Sequence, residues 1–296
     1  MEKLSDPYQI AYPGICAVAS EDGTQVELIE QFDCLGGAMW AGKHYQKSPV
    51  VLSRRILGST QRFLLIAGTA DLPLEGSYFP AGIASAEVTD DEIAITYRGM
   101  GGGGVGASIC RASARGVGRY TVDPSGGGKE AGSTVWLPRR KRVIIGVDDT
   151  DTPEEGATWT LAHNIAKAVA DEESWYLSHT ITQLFPVPYR TKNCVAIACE
   201  FATTEPERLI ERFTAYTKEY TLSDETGLAA FTGFDPSPLL EYGRSVKRGE
   251  VTKEALDAIR PALDIRIEGR GIIGAAAAIP FATRYEEALE LWTGVT

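Results

Sequence analysis

The feature that most constrains this chain is a junction: the apolar run Val143-Ile144-Ile145-Gly146-Val147 passes directly into Asp148-Asp149-Thr150-Asp151-Thr152-Pro153. A continuous apolar stretch of this length reads as a buried strand. Three carboxylates within four positions at its end are costly unless each is solvated, paired or coordinated to a cation. A hard divalent ion such as Mg2+ resolves that cost, because it takes oxygen ligands, keeps waters and bridges to phosphates. Asp148, Asp149 and Asp151 are therefore the candidate metal ligands. The alternative is an acidic surface turn in which Asp151 or Thr152 caps the following helix.

The residues beyond the junction favour a ligand site. Glu154, Glu155 and Gly156 form a turn, and Thr158 to Ala170 is predicted to be an amphipathic helix with Leu161, Ile165, Ala168 and Val169 on its apolar face. The free N–H groups and positive end of that helix would lie near the carboxylates, setting an anion site beside a cation site. A magnesium-bound triphosphate needs that pairing. Thr158, in the first turn, has three readings: helix cap, phosphate contact or phosphoryl acceptor. Farther on, Pro186-Val187-Pro188-Tyr189-Arg190-Thr191-Lys192-Asn193 joins two predicted strands. Two apart in extended backbone, Arg190 and Lys192 would point the same way and grip phosphate oxygens, or else sit as solvated hairpin charges.

The organisation around the junction suggests an α+β protein of two domains: a β-rich N-terminal domain over residues 1–138 and a mixed domain over 139–296. Gln25 to Gln31, Phe63 to Thr69 and Glu92 to Tyr97 read as strands, and helix signals before residue 140 are weak. The glycine-rich stretch Asp123 to Gly132 looks like a linker tip, which places the boundary near residues 126 to 142. Beyond it the order is strand, helix, strand, strand, helix and a mixed tail, the outline of a split β-α-β unit, with a further helix expected from Thr252 to Ile259. The run Gly99 to Gly106 has no following GK[ST] and no dinucleotide fingerprint. It reads as a flexible loop or as a lid over the Asp148 site, with Arg98, Arg111 and Arg115 supplying charge to a bound anion. Five cysteines without a CxxC pair read as core thiols, and His44, His163 and His179 as structural.

Lys plus Arg number 29 against 40 Asp plus Glu, so the net charge is −11 and no broad basic footprint is present. On that ground nucleic acid is expected to be an unlikely partner. No run approaches the ~18 uncharged apolar residues of a membrane helix, and the start MEKLSDPYQI lacks a signal peptide's regions. A cytoplasmic protein with no membrane association is expected.

GVDDTDTPEEGATWTLA together with LFPVPYRTKNCVAIA resembles the kinase-like domain of the archaeal enzyme that attaches agmatine to the anticodon cytidine of isoleucine tRNA, and GRGIIGAAAAI resembles that family's closing R-G-x-I-G-A segment. The likeness runs from about residue 143 to 280. It implies ATP and Mg2+ as cofactors, with Asp148, Asp149 and Asp151 binding phosphates and metal, and with Thr158 at the position of a threonine autophosphorylated in that family. Within the two motifs, Thr150, Thr152, Gly156, Arg190, Lys192 and Asn193 are the expected nucleotide contacts, and Phe231 to Gly249 falls where further active-site residues lie. The layout, an unrelated N-terminal domain before a short DDTD domain, resembles the methanogenesis marker protein 11 family. That implies an ATP-dependent step in methane-forming archaea on a small-molecule or protein acceptor, with methyl-coenzyme M reductase or its activation proteins as partners. The alternatives are an ATP-sensing assembly factor and a tRNA cytidine modification enzyme.

Overall fold

A computed structural model describes residues 3–291, and the chain divides into two compact units, Met1–Arg140 and Lys141–Thr296. The class is α+β, with three antiparallel sheets.

The N-terminal unit contains β1 (Gly14–Ala19), β2 (Gln25–Gln31), α1 (Leu35–Tyr45), β3 (Val51–Leu57), β4 (Thr60–Ile66), β5 (Gly68–Thr69), β6 (Ala81–Val88), β7 (Glu92–Met100), α2 (Gly102–Ala107), α3 (Ile109–Ala112), β8 (Arg119–Asp123) and β9 (Glu130–Pro138). Its sheets run β1-β2-β4-β3 and β5-β6-β7-β9-β8. Inward residues of both, among them Ile15, Leu28, Phe63, Ile83, Ile95 and Val135, share one core.

Three expectations are corrected here. Helix α1 carries two glycines in its first turn and no side-chain cap, so it has no start signal, and it is held by burying Ala38, Ala41 and Tyr45. The glycine run is not a flexible loop. It forms α2, whose Gly103 and Gly104 are buried, because a Cβ at Gly103 would lie 2.6 Å from the Pro80 carbonyl oxygen. Glycine's poor helix propensity is overridden by a backbone approach that no other residue allows. The stretch Asp123 to Gly132 is the tip of the β8–β9 hairpin, with Asp123 opposite Gly132, and not a linker.

Arg111, expected to serve an anion, instead spends its charge inside this unit. It is fully buried against fully buried Glu30, with Nε and Nη2 donating to Oε1 and Oε2 at 2.8 and 3.0 Å. Breaking such a pair strands the other charge, so Arg111→Met is expected to cost about 3–5 kcal/mol, read as a lower urea midpoint.

The C-terminal unit contains β10 (Lys141–Asp148), α4 (Thr158–Val169), β11 (Ser174–Gln183), β12 (Val195–Thr203), α5 (Pro206–Tyr220), β13 (Gly227–Thr232), α6 (Leu240–Arg248), β14 (Asp264–Glu268), α7 (Ile272–Ala278) and α8 (Tyr285–Leu289). The sheet order β11-β12-β10-β13-β14 inserts β12 between β10 and β11, which is a split β-α-β arrangement. The segment from Thr252 to Ile259 forms 3-10 turns, not an α-helix.

Both faces of this sheet are covered, which explains an apolar run without alternation. Val143, Ile145 and Val147 of β10 pack with Ala162, Ile165 and Ala166 of α4 and Phe213 of α5. The buried stripe of α4 runs through Ala162, Ile165, Ala166 and Val169, one step round from the expected face, and Ala168 is exposed. Ile144 joins the opposite core with Ile272, Ala276 and Ala277 of α7. Helix α7 rests almost on the strand backbone: a Cβ on Gly146 would lie 1.9 Å from the Ala275 carbonyl oxygen, and one on Gly227 would lie 2.0 Å from Ile272 N.

Among the described residues no helix is long and apolar enough to cross a membrane.

Candidate functional site

Strand alternation sends residues 144, 146 and 148 to the α7 side of the sheet. Asp148 therefore ends β10 against α7, where a Cβ on Gly274 would lie 1.9 Å from its Oδ2. The carboxylate occupies the space that any side chain at position 274 would fill. Its Oδ1 accepts the Asp149 N–H at 2.9 Å. No ion pair of Asp148 is present among the described residues, and burial pushes its pKa well above the usual carboxylate range, with the Asp149 charge pushing the same way. Asp149 takes a left-handed backbone, φ 53°, which Asp tolerates better than most residues. The Thr226 hydroxyl donates to its carbonyl oxygen at 3.0 Å. Burial also raises the Asp149 pKa, against the opposing pull of Arg270.

Asp151 is turned elsewhere. Its Oδ1 accepts from the Thr191 hydroxyl at 3.2 Å and from Thr158 Oγ1 at 3.5 Å, and Lys192 Nζ lies 3.9 Å from its Oδ2. Thr158 is buried, and its hydroxyl accepts from the Thr150 N–H at 3.2 Å and the Thr150 hydroxyl at 3.1 Å. This threonine stitches the acidic loop to α4. Neither Asp151 nor Thr152 caps that helix: the N-cap is Ala157, without a side-chain bond. Thr152 closes its own turn through Glu155, and Gly156, at φ +84°, has no room for a Cβ free of Asp151 and Leu222.

The loop between β11 and β12 is bent rather than extended, so Arg190 and Lys192 do not point together. Arg190 folds back to donate to the Val187 carbonyl oxygen at 2.9 Å, whereas Lys192 donates to the Gly156 carbonyl oxygen at 2.8 Å. Arg190 and Asn193 line a pocket with Asp148, Asp149, Tyr189 and Arg270. Arg270 stacks 4.7 Å from the Tyr189 ring centroid, and its buried Nε has no hydrogen-bond partner. Sequence reasoning missed this arginine, although it stands inside the segment GRGIIGA, because nothing local to that segment shows that it meets the end of β10. From Phe231 to Gly249, Val246 and Gly249 reach the pocket, while Phe231, Leu239 and Tyr242 build core.

Among the described residues no three His, Cys, Asp or Glu side chains form a ready-made metal cage. The donor set still fits Mg2+, which is typically held by one or two carboxylates together with waters and substrate phosphates. Asp148 and Asp149 supply two half-buried carboxylates, of which Arg270 opposes the charge of Asp149. A cation there would favour the ionised carboxylates against the burial that raises both pKa values and against the smaller repulsion of neighbouring acids.

Fold and site together define an α+β protein whose C-terminal sheet carries an acidic strand-to-helix loop, and residues 144–209 match the TiaS TCKD domain. The chain belongs to the family of "Uncharacterized protein MJ0921" of Methanocaldococcus jannaschii, with 37% identity over 294 residues that cover 95% of this chain and 97% of that protein. Among solved structures it is similar to a complex of TiaS with isoleucine tRNA and ATP, at 24% identity and TM-score 0.42, with 47% of this chain and 36% of that one covered. A tRNA fluorescent labeling enzyme gives 25% identity, TM-score 0.42 and the same coverage. The chain thus spans about a third of the length of these solved proteins. The expectation that nucleic acid is an unlikely partner is corrected by these findings: the matched domain is that of TiaS, and TiaS has been solved with an isoleucine tRNA. Net charge sums over the whole surface and says little about a local groove.

Proposed function

We propose that the C-terminal unit binds Mg-ATP at the β10–α4 loop and transfers a phosphoryl or adenylyl group to an acceptor oxygen, releasing ADP or pyrophosphate, in chemistry of the tRNA-modification type. The observation that carries this reading is the juxtaposition of two half-buried carboxylates, whose pKa values burial raises, with a buried arginine Nε lacking a hydrogen-bond partner. One group of atoms asks for a cation and the other for an anion. The match of residues 144–209 to the TiaS domain supports it, and RNA is the acceptor class that TiaS suggests.

In this reading Asp148 and Asp149 hold the metal, with Asp151 at its outer edge. Bound Mg2+ would supply neutralisation of the developing phosphate charge. Arg270 and Arg190 bind phosphate oxygens from the pocket wall, while Lys192, Asn193, Thr150, Thr152 and Gly156 shape the nucleotide's surroundings. Thr158 acts as a positioning residue, since its hydroxyl is already committed to the loop. Positioning and electrostatics do most of the work, as in other phosphoryl transfers.

Calorimetric titration of Mg-ATP tests the site. Arg270→Ala should weaken binding about 10- to 100-fold, the worth of a charge-assisted hydrogen bond of about 1.5–3 kcal/mol. Undiminished affinity in both Arg270→Ala and Asp149→Ala would refute the assignment. Labelled ATP then tests the acceptor: label transferred to RNA supports the reading, and ATP binding with no transfer to RNA favours an assembly factor.

A further inference from the structure

The main chain at Arg270 is fixed on one side of the pocket: its N–H donates to Glu225 Oε2 at 2.8 Å, and the Gly271 N–H donates to the Glu225 carbonyl oxygen at 2.8 Å. Its side chain has no such anchor. Among the described residues the guanidinium makes no hydrogen bond and no ion pair, and its Nε is buried without a partner. An arginine side chain carries large rotamer entropy, so one held by nothing would spend little time in any single geometry. The contact that fixes this one is a ring. The guanidinium carbon lies over Tyr189, 4.7 Å from the ring centroid.

A ring holds a cation in a different way from a carboxylate. Arg111 is held by Glu30, which cancels its charge and takes the N–H groups of Nε and Nη2. A ring attracts the cation through its quadrupole, leaving the charge uncancelled and the N–H fork open. An arginine that has to meet a phosphate needs both.

Tyr189 is itself fixed. Pro186 and Pro188 restrict the loop that carries it, and its hydroxyl donates to Glu250 Oε1 at 2.9 Å. The same loop grips the acidic side of the site, with the Thr191 hydroxyl on Asp151 Oδ1 at 3.2 Å and Lys192 Nζ on the Gly156 carbonyl oxygen at 2.8 Å. One short loop thus sets the arginine and the acidic loop in register. We propose that Tyr189 is the positioning residue for Arg270, holding the guanidinium at the pocket shared with Asp148 and Asp149 with its charge and donors free for a phosphate, an inference that rests on the Mg-ATP reading of that pocket.

Calorimetric titration of the full chain with Mg-ATP tests it. Tyr189→Ala should weaken binding about 3- to 30-fold, which at about 1.4 kcal/mol per tenfold is about 0.7–2 kcal/mol, the range of a cation–π contact. Tyr189→Phe keeps the ring and loses only the Glu250 bond, so it should recover most of that loss. In the Arg270→Ala background Tyr189→Ala should cost nothing further, because the group it positions is gone. A ring that merely shaped the pocket would cost the same in both backgrounds. Tyr189 is 44% exposed, so its truncation opens no core cavity, and an unchanged melting midpoint checks folding. Full affinity in Tyr189→Ala, no recovery in Tyr189→Phe, or an equal loss with and without Arg270 overturns the proposal. Undiminished affinity in Arg270→Ala would instead remove the Mg-ATP reading, and the proposal with it.

Discussion

Asp148→Asn is expected to make the ligand-free protein more stable at neutral pH while removing Mg-ATP binding. The native pKa of Asp148 is raised above its unfolded value of about 3.9 by burial and by the Asp149 charge. A group shifted in that direction contributes stability that is fully present below the unfolded value and is lost as pH rises through the native one. The melting midpoint of the wild type without ligand should therefore fall as pH climbs from about 4 through the raised titration of Asp148. Asparagine keeps the shape against Gly274 without the charge, so its profile should be flatter and its midpoint at pH 7 to 8 higher, at roughly 2–4 °C per kcal/mol gained. Calorimetry on the same samples should show Mg-ATP affinity lower by about two orders of magnitude, as expected for a lost charged contact of about 3 kcal/mol. An unstabilised variant that binds as well as the wild type would remove Asp148 from the site.

Gly146→Ala should strongly destabilise the C-terminal unit. The added carbon would lie 1.9 Å from the Ala275 carbonyl oxygen, and both partners are backbone, so neither can rotate away. Overpacking of side chains costs about 1–3 kcal/mol, and a clash between a strand and a helix backbone belongs at or above the upper end. The melting midpoint should drop by at least about 6 °C, or the protein should be recovered insoluble. Gly102→Ala is the control. Nothing lies within 4 Å of a Cβ there, and the residue is helical, so alanine should be neutral or stabilising by up to about 1 kcal/mol. Equal losses in the two variants, measured by urea unfolding, would show that close helix–strand packing is not the cause.

The sequence by itself settled what depends on chain neighbours. The apolar run ending in acids marked the central strand, the periodicity after it marked α4, and Pro206 stands at the first turn of α5 as read. The order of elements was enough to outline a split β-α-β sheet, and the motifs in that order were enough to bring the TiaS resemblance into view. Tertiary structure alone decided the rest. It turned Asp151 toward Thr158, Thr191 and Lys192 and left Asp148 without an ion pair and Asp149 facing Arg270. It brought Arg270 from the far end of the unit to the acidic loop, and it withdrew Arg111 from any anion by burying it against Glu30. It also made a helix of the glycine run, by a backbone approach that propensity argues against. Periodicity and turn chemistry act over a few residues and are written locally. The charge a side chain carries and the groups it meets are set through space, by partners whose place along the chain leaves no local trace.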